Sequence, residues 1–192
     1  MSDETTPRAR ALPPGQRLIE SMPVHHIGDA PAFDGATWAL ALSGEIDRPR
    51  TFTLRELTEL ATIDIEADFH AASGWSVARV KWRGARLADV LAAAHPRATA
   101  CFVHLRDEER YDASLSLYDA CQPDVLLAVQ RNGEPLPLAH GGPLRVVAPA
   151  KYAWKSVKWL RAIEVTAEGR PGFWERRGFH PAADPWRGER FV

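Results

Sequence analysis

Two stretches of this 192-residue chain carry residue types that could hold or transform a ligand. The first is His140-Gly141-Gly142-Pro143-Leu144-Arg145, followed closely by Lys151-Tyr152-Ala153-Trp154-Lys155-Ser156-Val157-Lys158-Trp159. A guanidinium grips a phosphate as a planar fork, and an ammonium does so as a point charge, so Arg145, Lys155 and Lys158 can all pair with one. Ser156 adds a hydroxyl and a backbone N–H, and Trp154 and Trp159 add flat apolar walls. A Gly-Gly turn lets a backbone approach a ligand closely, because neither residue carries a Cβ. Together these residues suit an anion site for a bulky heterocyclic phosphate. The second stretch, His70-Ala71-Ala72-Ser73-Gly74-Trp75-Ser76, lies at a strand end. Blander readings stay open at this level: His70 as a strand-end histidine satisfied by backbone, Arg145 and Lys158 as surface ion pairs, Tyr111 as a half-exposed packing residue.

Other chemistries lack their residues. There is no G-x-S-x-G elbow, so His140-Gly141-Gly142 does not read as an oxyanion-hole loop. There is no G-x-G-x-x-G, Walker A or H-E-x-x-H. The seven histidines do not fall at metal-ligand spacing, no metal site is expected, and the adjacent His25-His26 read as ordinary surface or core residues. Two cysteines, Cys101 and Cys121, are too few and too far apart for a zinc knuckle or a CxxC pair. Each is expected to be a buried, inert, unpaired thiol.

The composition, 45% hydrophobic and 26% charged, excludes a disordered chain and a small disulfide scaffold. A net charge of −1 and a pI near 6.7 argue against nucleic acid as a partner. No apolar run approaches the ~18 residues that span a bilayer, so no membrane role is expected. The first residues hold no apolar secretory core, and the cytoplasm is the expected location. Charge is unevenly spread: residues 145–192 carry 10 Lys+Arg against 5 Asp+Glu, while residues 1–144 carry 14 against 20. That asymmetry suits a small anionic ligand, with a solvated charged face as the plainer alternative.

The elements that must position these residues follow from periodicity. Residues 1–16 read as a disordered tail and 17–192 as a single domain. Trp38, Leu40 and Leu42 alternate up to Gly44, a strand. Thr53 and Glu56 form a capping box ahead of Leu54, Leu57 and Leu60, a short helix. Ile63, Ile65, Ala67 and Phe69 alternate with acids and predict a half-buried strand running into His70. Leu87, Val90, Leu91 and Ala94 mark a second helix, ending before Pro96. Strands are expected over 101–105, 125–130, 144–148 and 163–165, with a hairpin turn at Asn132-Gly133. Arg79, Lys81 and Arg83 would share one strand face, as a solvated basic stripe or an oxyanion attractor. Residues 171–192 look like an irregular tail packed by aromatics. Strands with few short helices, in no regular βαβ order, predict an α+β fold with mixed sheets.

At these motifs the sequence resembles the molybdopterin-binding domain of the sulfite oxidase family, in its short bacterial form. H-G-x-P-L-R followed by K-Y-x-W-K-S-x-K-W, residues 140–159, is the most specific part. Gly172 to His180, Asp184-Pro185-Trp186 and Trp38 to Gly44 also resemble the family. The resemblance implies mixed β-sheets with a few short helices around a molybdenum cofactor. It implies that the pterin and its phosphate are held by residues matching His140, Arg145, Ser156 and Lys158, and that the segment His70 to Ser76, with Ser73, lies against the metal. Family members move oxygen atoms to or from sulfur substrates and pass electrons to a redox partner.

One position departs from the pattern. The family has H-C-x-x-G-W-S, with a metal-binding cysteine, and this chain has Ala71 there. A methyl group has no lone pair to give a metal. Ser73, two residues on, would point to the same side in an extended chain and offers a weak substitute. Tyr111 falls near the pocket in the resemblance. Two function classes therefore stand: an oxidoreductase with altered metal ligation, or a degenerate pterin- or phosphate-binding module or partner protein without redox turnover.

Overall fold

The computed structural model describes residues 11–108 and 110–192. Its strands are β1 (Arg17–Leu18), β2 (Ala39–Gly44), β3 (Arg50–Thr53), β4 (Ile63–His70), β5 (Trp75–Arg86), β6 (Phe102–Arg106), β7 (Asp112–Ser116), β8 (Leu126–Arg131), β9 (Glu134–Pro135), β10 (Arg145–Val147) and β11 (Ala162–Thr166). The helices are short: α1 (Leu54–Leu60), α2 (Leu87–Ala93) and α3 (Leu117–Ala120). One sheet runs β3-β2-β11-β6-β7, with β2 and β11 parallel and the other neighbours antiparallel. The other is built on the long β5, which pairs with β4 along one edge and with β8 and the parallel β1 along the other. β9 and β10 both pair with β8. The fold class is α+β with mixed sheets.

Local signals account for most of these elements. The Thr53 side chain accepts from the Glu56 N–H, and the Glu56 carboxylate accepts from the Thr53 N–H, which closes the capping box of α1. Asn132-Gly133 turns β8 into β9. Along β5, Val77, Val80, Trp82 and Ala85 are buried while Arg79, Lys81 and Arg83 are exposed. Arg79 pairs with Glu66 at 2.8 Å and Arg83 with Asp64 at 2.8 Å, so this stripe is a solvated, ion-paired face.

The main core joins Leu40 and Leu42 of β2, Val103 and Leu105 of β6, Ile163 and Val165 of β11, and Leu57, Leu87 and Leu91 of the helices. Burying each such side chain contributes roughly 1.5–3 kcal/mol. A second cluster unites Phe69, Ala71, Trp75, Val80, Trp82 and Val147. A third joins Tyr152, Trp154 and Ala183, with Trp174 and Phe179 packed on it. This third cluster ties the C-terminal segment down, as its aromatic content predicts.

Several local readings are corrected by the fold. Residues 1–10 of the expected disordered tail lie outside the described residues. Its remaining part is fastened: the Gln16 amide donates to the Ala71 carbonyl at 3.0 Å and accepts from the Ser76 hydroxyl at 3.0 Å. Cys101 and Cys121 are free but exposed rather than buried, because one precedes β6 and the other closes α3. Residues 71–74 form a tight turn, with the Gly74 N–H on the Ala71 carbonyl, so Ser73 is not on an extended chain beside Ala71. Gly141-Gly142 makes room for the protein rather than a ligand: a Cβ on Gly141 would lie 2.9 Å from the Lys158 side chain, and one on Gly142 would meet the Leu136 carbonyl.

Candidate functional site

A cavity of about 480 Å³ opens where the second and third clusters meet. That is the size of a small-molecule or cofactor site. Phe69, Ala71, Ser73 and Trp75 wall it from the β4–β5 turn. Met22, His25, His26 and Ile27 wall it from the segment between β1 and β2. Tyr111, Arg145, Trp154, Ser156, Lys158 and Trp159 come from the motif side and the β6–β7 loop, and Trp174, Phe179 and Phe191 from the C-terminal segment.

Arg145 stands at the start of β10, 2% exposed. Its guanidinium donates to the carbonyls of His140 at 2.8 Å, Ser156 at 2.9 Å and Val146 at 3.2 Å, and lies 5.1 Å from the Phe69 ring centre. Every one of these acceptors is neutral. The Lys158 ammonium likewise donates to two carbonyls, of His25 at 2.8 Å and Ala139 at 3.0 Å. Arg131, on β8, has the Met22 thioether as its acceptor, at 3.8 Å. Among the described residues no carboxylate pairs with any of the three. Asp107 also lines the cavity, but its carboxylate accepts the N–H groups of Arg110 and Tyr111.

Among the described residues, then, the positive charges of Arg145 and Lys158 in this pocket wall have no carboxylate partner. Burial, and next the neighbouring Arg131, pull the Arg145 guanidinium down to about 9. Burial, then Arg145 and Arg131, bring the Lys158 ammonium to about 7. Burial, then Arg131, Lys158 and Arg145, lower His140 to about 4. Burial penalises these charges, the described residues offer them no counter-charge, and an incoming anion would supply one. Ser156 Oγ accepts the Ala148 N–H at 3.1 Å and keeps its own proton to donate. The donor set fits a phosphate, and the indoles around it fit a flat heterocycle.

The remaining expected residues fall in different places. His140 is buried outside the lining and contributes its carbonyl to Arg145. His70 is buried, with Nδ1 2.8 Å from the Ser76 hydroxyl, also outside the lining. Tyr111 lines the cavity and donates to the Trp154 carbonyl at 2.6 Å, and burial raises its phenol pKa well above the usual range. Lys155 does not join the other cations: its side chain is 2% exposed and its ammonium pairs with Glu175 and the Ser114 carbonyl. Sequence reasoning missed Arg131, which ends an apolar strand without any motif. It also set aside His25 and His26, which line the cavity from a segment without period; His25 meets Trp75 edge-on and His26 meets Trp159.

Fold and pocket thus define an α+β domain with a basic, aromatic-walled cofactor site. A family model described as the oxidoreductase molybdopterin binding domain matches residues 27–174. The uncharacterized oxidoreductase YuiH of Bacillus subtilis is 40% identical over 182 residues, covering 94% of this chain and 92% of that protein. Human mitochondrial sulfite oxidase is 40% identical over 122 residues, which are 57% of this chain and 22% of that protein, so the match spans about a fifth of the longer enzyme. The sulfane dehydrogenase SoxCD from Paracoccus pantotrophus has the same fold, with a TM-score of 0.68 and 20% identity over 78% of this chain and 42% of its own. The chain belongs to the sulfite oxidase family, as a molybdopterin-binding oxidoreductase domain of the short bacterial type.

Proposed function

We propose that the pocket seats molybdopterin with its phosphate on Arg145, Lys158 and Ser156 and its ring system among Trp75, Trp154 and Trp159. The observation that carries this reading is Arg145, a buried guanidinium in the cavity wall whose acceptors are all neutral. His140 orients Arg145 through its carbonyl. His70, through Ser76, braces the turn that carries Ala71 and Ser73. Tyr111 fixes the Trp154 backbone by donating to its carbonyl.

When bound with its metal, the cofactor supplies two-electron redox chemistry. On the protein side, Ala71 gives the metal no donor, and the one sulfur among the described lining residues, that of Met22, accepts from Arg131. The reading is an oxidoreductase domain whose metal takes no protein thiolate. Ala71 itself favours a second reading, retention of the cofactor without turnover. Residues 17–192 act as one domain, and an electron-transfer partner belongs to the first reading only. Free, exposed thiols fit a reducing compartment, and the cytoplasm is the proposed location. Among the described residues no helix is long and apolar enough to cross a membrane.

The test is pterin content. Protein made in a host that synthesises the cofactor is denatured, oxidised and assayed for pterin fluorescence. Stoichiometric pterin is expected. Folded, monodisperse protein free of pterin from such a host overturns the proposal.

A further inference from the structure

The Lys155–Glu175 pair is the feature that the pocket chemistry does not absorb. Lys155 is 2% exposed at its side chain and Glu175 6%, so both charges are withdrawn from water. The Lys155 ammonium is held by the Glu175 carboxylate and, at 2.7 Å, by the Ser114 carbonyl of β7. The second Glu175 oxygen accepts the Gly172 N–H. Gly172 has no room for a side chain there, since a Cβ would lie 2.7 Å from the Ala113 Cα. Next to Glu175, Arg176 makes a two-pronged pair with Asp112 at 2.7 and 3.0 Å. The start of the C-terminal segment is thus clamped onto β7 and onto the motif helix at Ala153–Lys155.

The clamp sits between residues that wall the cavity. Trp154, beside Lys155, meets Phe179 edge-on at 5.0 Å, and Trp174, beside Glu175, lies 4.8 Å from the same ring. Trp154, Trp174, Phe179 and Phe191 all line the cavity, whereas Lys155 and Glu175 do not. We infer that Lys155 and Glu175 are positioning residues: their buried ion pair latches the C-terminal aromatic wall over the cofactor pocket and so sets how long the cofactor stays. This rests on the cofactor reading above. Removing one partner leaves the other charge buried alone, which frees the wall to shift, while replacing both by apolar groups lets the seam close again.

The test compares Lys155→Met, Glu175→Gln, the double variant Lys155→Met/Glu175→Leu, and Leu57→Ala as a control. Leu57 is buried on α1, outside the cavity lining. Two quantities are read: the rate of pterin release from loaded protein, and hydrogen exchange over residues 172–191 in cofactor-free protein. Each single variant is expected to release pterin about tenfold faster, the effect of losing one aromatic contact. Each is also expected to exchange faster over 172–191. The double variant is expected to recover most of the wild-type retention. Leu57→Ala is expected to lower the melting temperature and leave the release rate unchanged. Wild-type release from both single variants, or equal acceleration by Leu57→Ala, overturns the latch. If wild-type protein holds no pterin, the cofactor reading fails by itself. Exchange over 172–191 then decides the latch: acceleration in the single variants supports it, and unchanged exchange overturns it.

Discussion

Replacing Arg145 by Met removes a buried charge and keeps most of its volume. Two opposing effects act on the cofactor-free protein. Folding brings the guanidinium from its ordinary value down to about 9, which corresponds to roughly 5 kcal/mol of penalty for holding it charged. A base whose pKa falls on folding binds more protons in the unfolded chain between those two values. The penalty is therefore complete below about pH 9 and fades only above it, so at pH 7 the substitution relieves all of it. Against this, the carbonyls of His140, Val146 and Ser156 lose their donor, at about 1–3 kcal/mol each. The two nearly cancel. Arg145→Met should stay folded without cofactor, with a melting temperature within about 10 °C of wild type. Anion binding has no such compensation: losing a buried partner costs about 3–5 kcal/mol, or about 150- to 4,000-fold in affinity. The assay is thermal denaturation of the cofactor-free protein, with pterin content after expression in a cofactor-making host. A variant that melts near wild type and still carries stoichiometric pterin would show that Arg145 does not hold the phosphate.

Three further outcomes follow from the same geometry. Ala71→Cys should keep the fold, because overpacking by one sulfur costs about 1–3 kcal/mol at most, and X-ray absorption of the loaded protein should count one more sulfur on the metal than in wild type. Cofactor-free protein should grow more stable as pH rises from about 4 to 6.5 and from about 7 to 10.5, since His140 and Lys158 bind more protons unfolded than folded in those windows; saturating phosphate should flatten the second rise, and a melting temperature that falls across it would contradict the charge account. Both cysteines should react with a thiol reagent in the native state, Cys121 more slowly because its thiol, though the residue is exposed, is partly desolvated, which raises its pKa.

Local signals carried the fold a long way. The Thr53–Glu56 box, the alternation of Ile63 to Phe69 and the Asn132-Gly133 turn each act within a few residues, and each appears where the sequence puts it. The parallel pairing of β2 with β11 and the two-residue β1 have no such local signature, because they form only when distant segments meet. The site divides in the same way. Arg145, Ser156 and Lys158 lie in one motif and converge on the cavity. Lys155 shares that motif yet is claimed by Glu175, twenty residues on, which no periodicity reveals. Gly141-Gly142 read as space for a ligand, but the space is taken by Lys158 and Leu136, from flanking segments. Cys101 read as buried in an apolar strand and Cys121 as a buried inert thiol, whereas their places at element ends expose them. Met22, His25 and His26 wall the cavity from a segment with no regular structure, where composition says nothing about what they face.

A crystal structure of the protein purified with its cofactor decides whether this pocket seats the pterin. One molybdopterin is expected in the cavity, its phosphate within hydrogen-bond reach of Arg145, Lys158 and the Ser156 hydroxyl, with no protein sulfur on the metal. A pterin bound elsewhere, or one whose phosphate leaves Arg145 and Lys158 with only their carbonyl partners, would contradict this placement.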